Sequence, residues 1–432
     1  MTPLEIGIIF FAILLILLAA SVPIGVSMAI CGFFGMWTLI SLSAALGKLA
    51  YVPFEILANY NFAVLPLFLL MAQVCTESGI SANLFDAASK WFGRLPGGLS
   101  VAAIGACTGM GAVSGSAIAT AATVGLVAAP EMEKHKYKPT LITGSLAAGG
   151  TMGIMVPPSG VLILYGLLTE VSISKLFVST MIPGLIVALC YIMAVIIWCK
   201  VKPDLAPSVP GVSFREKVRS LGGCGDILAL IVIVLAGLIA GLFTPTEAGA
   251  VGASGSILIT ALRRRLTLQK FKKACIGTLR TSGMVYTILI GAFIFNYFIA
   301  ATNGPTMIAE YVTGLKISTL GIIVVIVFIY IFLGIIMDEA AMIVLTIPIF
   351  FPVITTLGIS PLWFGVLVAR VTEIGMISPP LGITMYVISG ITKYPLSTVY
   401  KGVLPFLAAD LVSTTLLVLF PGIALWLPSL AH

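Results

Sequence analysis

Two short stretches carry the strongest chemical signal: Gly153-Ile-Met-Val-Pro-Pro-Ser-Gly160 and Gly375-Met-Ile-Ser-Pro-Pro-Leu-Gly382. A double proline removes two backbone donors, so a regular helix cannot run through it. The residue before each proline is pushed out of α space. Val156 and Ser378 therefore mark where two helices open, at Pro157-Pro158 and at Pro379-Pro380. Carbonyls one turn earlier lose their donors and become available to a hard cation such as Na⁺. Gly150, Thr151, Gly153 and Ser159 flank the first opening; Thr372, Glu373, Gly375 and Ser378 flank the second. A plain kink would leave the same trace, but its occurrence twice favours a pair of oxygen-lined cation sites.

Each opening follows a second unusual stretch. Gly109-Met-Gly-Ala-Val-Ser-Gly-Ser-Ala-Ile-Ala-Thr120 combines small residues with hydroxyls. It permits a tight turn at Ser114-Gly115-Ser116, whose oxygens suit Na⁺ or a substrate, or else close helix packing. The later stretch holds Met337-Asp338-Glu339. Two adjacent carboxylates in an apolar segment cost about 2.5–3.5 kcal/mol each to insert, which marks a functional position unless they lie on a surface loop. Arg370 and Glu373, three residues apart, share a helix face. They either pair with each other, or Arg370 meets a carboxylate substrate through its bidentate fork. Thr244-Pro-Thr-Glu-Ala-Gly249 reads as an external turn leading into a helix start. Glu170 and Asp410 are expected at the membrane interface.

Other chemistry is excluded by what is scarce. The only histidines are His135 and His432, too far apart in sequence to suggest a metal centre or proton relay. The seven cysteines show no CxxC spacing and read as small buried hydrophobes. No phosphate-binding GxxxxGK[ST] motif occurs, so the chain has no ATPase motor of its own. No Ser-His pair or HExxH motif supports an intramembrane enzyme.

The elements that position these residues are membrane helices. Of 432 residues, 59% are hydrophobic and only 9% charged, with a mean hydropathy of +1.17. A soluble domain carries about 25% charged residues. The solvent for most of this chain is therefore lipid, and the net charge of +7 reports orientation, not nucleic-acid binding.

An internal repeat organises the helices. At an offset of 222 residues Pro23, Pro130, Pro139, Pro157, Pro158 and Pro183 fall on Pro245, Pro352, Pro361, Pro379, Pro380 and Pro405. With 24 prolines in 432 residues, a chance match arises about once in eighteen trials, so six at one ungapped offset indicate homologous halves. The halves are residues 1–200 and 223–432, joined by a cytoplasmic linker, 201–222. Apolar crossings are expected at about 6–22, 24–43, 57–76, 139–168 and 175–199. Their counterparts lie at about 226–243, 248–262, 283–302, 361–390 and 402–427. The stretches 97–129 and 318–351 are expected to be re-entrant helical hairpins, closed by Pro130 and Pro352. Such hairpins are permitted where the tip is buried in protein or lines a cavity. Residues 80–94 and 304–316 read as interfacial helices.

Five crossings per half is an odd number, which inverts the second half relative to the first. With the N-terminus outside, 19 of 23 Lys and Arg fall on the cytoplasmic side. Only Lys48, Lys175 and Lys316 fall outside, and Arg370 lies within a helix. The fold expected is thus an all-α polytopic membrane protein with an inverted repeat, about ten transmembrane helices and two hairpins. Inverted halves with paired broken helices are the architecture of secondary transporters.

Over essentially its full length the chain resembles the large membrane subunit of tripartite ATP-independent periplasmic (TRAP) transporters. The resemblance rests on residues 109–120, Gly150–Ser159, Thr244–Gly249, Gly334-Ile-Ile-Met-Asp-Glu-Ala340 and Gly375–Pro380. It implies Na⁺-coupled uptake of an organic acid in the bacterial inner membrane, by an elevator-type movement of the hairpin-bearing domain. It also implies two partners, a small four-helix membrane subunit and a periplasmic substrate-binding protein. The first half starts within five residues of Met1, so the small subunit is expected on a separate chain. On this reading Na⁺ sits near Ser114–Ser116 with Gly150–Val156, and near Met337–Glu339 with Thr372–Ser378. The carboxylate lies between the hairpin tips, near Ser114, Ser116, Ser159 and Arg370. A stand-alone Na⁺- or H⁺-coupled dicarboxylate symporter and a passive channel are the rival readings.

Overall fold

A computed structural model describes residues 1–207, 212–314 and 317–430. Lys316, His432 and part of the linker lie outside the described residues. Among these, every regular element is helical. In the first half α1 (Pro3–Ala19), α2 (Ile24–Leu39), α3 (Leu42–Ala58) and α4 (Val64–Glu77) are followed by α5 (Ile80–Phe92). Then come α6 (Gly98–Ser114), α7 (Ala117–Lys134), α8 (Pro139–Met155), α9 (Gly160–Thr169) and α10 (Ile173–Val201). A short α11 (Phe214–Leu221) precedes the second half. That half contains α12 (Gly225–Ile239), α13 (Pro245–Leu262), α14 (Leu268–Ala301), α15 (Gly304–Gly314) and α16 (Thr319–Ile336). It continues through α17 (Glu339–Thr356), α18 (Pro361–Ile377), α19 (Ile383–Thr392), α20 (Leu396–Leu419) and α21 (Gly422–Leu430).

Shifted by 222 residues, α7 falls on α17 and α8 on α18 without a residue of slippage. Packing is reciprocal as well. Helix α2 packs on α14 while α4 packs on α13, and α7 packs on α19 while α9 packs on α17. Exchanged partners of this kind are what a two-fold axis between related units produces. Large apolar side chains face outward along the spans, such as Leu189 on α10, Val232 on α12 and Phe328 on α16. Lipid replaces water around this belt.

Seven helical stretches among the described residues are long and apolar enough to cross a bilayer alone. Five of these fall on expected crossings, and the other two, α16 and α17, are the arms of the second expected hairpin. The expected ten also count α13, the α18–α19 pair, and α1, α2 and α12, the last three of 17, 16 and 15 residues. At about 1.5 Å per residue these reach roughly 22–26 Å, short of a 30 Å hydrocarbon core.

Several boundaries differ from expectation. Pro130 and Pro352 do not close the hairpins but lie inside α7 and α17, which continue for four more residues beyond each proline. A proline costs one hydrogen bond and a steric adjustment, which a helix wedged between neighbours absorbs. Helix α3 has no counterpart among the expected crossings. Helix α13 begins at Pro245 rather than near 248, because Thr244 and Glu247 form a reciprocal cap there. Helix α14 begins 15 residues before the expected 283 and runs unbroken for 34 residues. In the first half the equivalent path breaks at a 3₁₀ turn, Tyr60–Ala63, between α3 and α4.

Candidate functional site

The first hairpin turns at Gly115, whose φ of +61° is a left-handed conformation suited to glycine. A Cβ there would also sit 2.7 Å from the Pro158 carbonyl. Glycine thus lets the tip lie against the first opening, where the Gly160 amide donates to the Gly115 carbonyl at 3.1 Å. The Ser114 hydroxyl shares a hydrogen with Thr120 at 2.6 Å and reaches the Ser116 carbonyl at 3.3 Å. Gly153 packs directly under this turn, against the Ser116 carbonyl and the Thr120 hydroxyl. Gly150 does the same one turn earlier, where a Cβ would lie 2.5 Å from that of Ala121.

Both openings have the backbone that the prolines require. Val156 and Ser378 adopt extended ψ values of 121° and 129°, ending α8 and α18. The bond between the two prolines is cis in each. Prolines at 157 and 158 leave the carbonyls of Gly153 and Ile154 without their usual amide donors. Ser159, at the start of α9, is fully buried, and its hydroxyl has no partner.

The second tip is built differently. Met337 is extended, and Asp338 caps α17, accepting from the amides of Ala340 and Ala341 at 3.0 and 2.9 Å. The Glu339 carboxylate faces the Ser116 hydroxyl and the Ala117 amide of the first hairpin across the space between the tips. Its Oε2 is buried without a partner.

Between these parts lies a cavity of about 460 Å³. Ser114, Gly115 and Ser116 border it from the first tip, Pro158, Gly160 and Val161 from the first opening, and Asp338 and Glu339 from the second tip. Gln73 and Thr76 of α4 and Thr281 of α14 close the far side. These three were not anticipated from the sequence, although Gln73 and Thr76 share a helical face three residues apart. The arrangement offers two chemistries at once. The unpartnered Glu339 oxygen suits a cation. The hydroxyls and the amino-terminal turn of α9 suit an oxyanion.

The remaining expected residues are placed elsewhere. Thr151 is buried and bonds back to Ala148, with Tyr191 at 3.5 Å. Thr372 and Ser378 bond to carbonyls of their own helix. Gly375 packs against Gly334, where a Cβ would meet the Gly334 Cα at 2.6 Å. Of the two readings of Arg370, the structure shows the ion pair. The guanidinium is fully buried, binds Glu373 and Asp410, and donates to Ser413 at 2.7 Å. It does not border the cavity. Asp410 corrects an expectation, since it is not interfacial but fully buried in the middle of α20. Its insertion cost is offset by Arg370, forty residues away in sequence.

The family described as "Tripartite ATP-independent periplasmic transporter, DctM component" matches residues 11–423. A C4-dicarboxylate TRAP transporter large permease protein of Pseudomonas aeruginosa is 34% identical over 92% of this chain and 93% of its own length. A sialic acid TRAP transporter large permease protein of Vibrio cholerae is 30% identical over 96% of each chain. Among solved structures, the YdaH transporter of Alcanivorax borkumensis aligns with a TM-score of 0.68 over 88% of this chain and 89% of its own, at 16% identity. That last likeness concerns the fold.

Proposed function

Since the chain belongs to the DctM-component family of TRAP transporters, we propose that it is a large permease subunit driving Na⁺-coupled import of an organic acid across the bacterial inner membrane. The observation that carries this reading is the cavity joining both hairpin tips to the first opening. It is bordered by the carboxylates of Asp338 and Glu339 and by the hydroxyls of Thr76, Ser114, Ser116 and Thr281. Na⁺ fits this donor set, because a hard cation takes oxygen ligands. When bound, it would supply positive charge between Glu339, the Ser116 turn and the last turn of α8. The carboxylate of the substrate would bind at the start of α9, with Ser116, Thr76 and Thr281 offering hydroxyls and Ser159 buried just behind the cavity wall. C4-dicarboxylate and sialic acid, named for the Pseudomonas and Vibrio relatives, are the first substrates to try.

Ion binding orders both tips around the cavity. The hairpin-bearing domain then crosses as an elevator when loaded with both ligands or empty, and not with substrate alone. A small membrane subunit braces the remaining helices, and a periplasmic binding protein delivers substrate.

The test is uptake in liposomes containing the chain, the small subunit and the binding protein. Accumulation should require an inward Na⁺ gradient and the binding protein. Equal uptake in Na⁺-free buffer would refute the coupling. Uptake without the binding protein would favour a stand-alone symporter.

A further inference from the structure

Helix α14 is about 51 Å long at 1.5 Å per residue, roughly 20 Å longer than the hydrocarbon core. The excess lies at its amino-terminal end, where the basic residues are. Lys270, Lys272, Lys273 and Arg280 are carried there, directly after Arg263, Arg264 and Arg265. On the exposed face cations alternate with bare apolar side chains. Leu268 is 85% exposed and Leu279 is 72% exposed, with Lys272, Ile276 and Arg280 between and beside them. Neither water nor hydrocarbon alone suits such a face, but the headgroup layer does.

A second basic element is held against it. Arg263 pairs with Asp226 and donates to the carbonyls of Gly223 and Gly222 at 2.8 Å each. This ties the end of α13, just before α14, to the end of α11, an amphipathic helix with Arg215 and Arg219 exposed beside Phe214, which is 73% exposed. Among the described residues, no ion pair engages Arg215, Arg219, Arg264, Lys272, Lys273 or Arg280. The repeat makes the pattern specific. The counterpart of this arm is α3, which carries one basic residue, Lys48. The fold therefore does not require the cations.

We propose that the face formed by α11, residues 263–265 and the first four turns of α14 is a binding surface for anionic phospholipid headgroups of the inner leaflet. Each exposed cation near an anionic surface favours binding by roughly fivefold, so four together far exceed thermal noise.

The experiment compares thermal unfolding of the purified full-length chain in nanodiscs of phosphatidylglycerol and of phosphatidylcholine, with native mass spectrometry of retained lipid. The wild type should unfold several degrees higher in phosphatidylglycerol, retain that lipid, and lose the difference at high salt. The quadruple variant Arg264→Gln, Lys272→Gln, Lys273→Gln, Arg280→Gln should keep its unfolding temperature in phosphatidylcholine and lose most of the difference. A control, Lys134→Gln with Lys136→Gln at the base of the first hairpin, should keep it. A quadruple variant with an unchanged lipid difference overturns the proposal. So does a control that loses the difference equally, since net charge would then be responsible. A quadruple variant that keeps the lipid preference but loses a co-purifying membrane subunit would assign the face to protein docking and likewise overturn it.

Discussion

The two halves place different chemistry at equivalent positions. In the second half Arg370, Glu373, Asp410 and Ser413 form a buried ionic cluster. Their counterparts at the 222-residue offset are Ala148, Thr151, Ala188 and Tyr191, a neutral set. The tips differ in the same way. Gly115 and Ser116 make a turn with no side-chain cap on α7, whereas Asp338 caps α17 with its carboxylate. The fold needs two breaks and two hairpins, but it does not need charge at either. The charge at these positions lies in one half only, and Glu339 faces the repeat mates of Asp338 and of itself, Ser116 and Ala117. One composite site is thus assembled from two unlike tips.

Breaking the ionic cluster should have the largest effect. Arg370→Ala leaves two carboxylates buried without a countercharge, and removing one partner of a buried pair costs about 3–5 kcal/mol. Yield in membranes and unfolding temperature should both fall sharply, while Thr151→Ala at the neutral counterpart should cost about 1 kcal/mol or less. Comparable losses from the two would show that the charged cluster is not the stronger fastening.

Close packing beneath the tips comes next. Gly153→Ala drives a methyl group into the Ser116 carbonyl, and overpacking costs about 1–3 kcal/mol. Because Ser116 borders the cavity, uptake should drop more than stability does. Gly375→Ala presses on Gly334 instead, away from the cavity, so stability should fall at least as much as uptake. Equal ratios of uptake to stability loss in the two variants would dissolve this distinction.

The caps sharpen the comparison most finely. Asp338→Ala removes the acceptor for two amides and should destabilise by about 1 kcal/mol. Asp338→Asn retains a capping oxygen and should leave stability nearly unchanged while weakening the Na⁺ dependence of uptake. Ser116→Ala removes no cap and should change stability by less than about 0.5 kcal/mol. A destabilisation by Ser116→Ala as large as that by Asp338→Ala would mean the tips are capped alike.

Much of this was legible before any coordinates. Proline fixes local backbone so strongly that the openings at Val156 and Ser378 follow from sequence, and an ungapped offset reveals repeated elements whatever their packing. What was hidden depends on contacts distant in the chain. Asp410 reads as a misplaced charge until Arg370 is seen beside it. Asp338 and Glu339 read as two equal carboxylates, yet one caps its own helix and the other faces the opposite hairpin. The extent of α14 was obscured because lysines interrupt its apolar run, although long basic side chains are compatible with a helix leaving the membrane.

The claim that the two tips form one site is tested most directly by a double-mutant cycle. Ser116→Ala, Glu339→Gln and the combined variant are compared by the Na⁺ concentration giving half-maximal uptake in liposomes. Contacting residues in one network do not act additively. The double variant should therefore resemble the more severe single variant. If the two effects instead multiply, Ser116 and Glu339 act at separate sites and the composite site is contradicted.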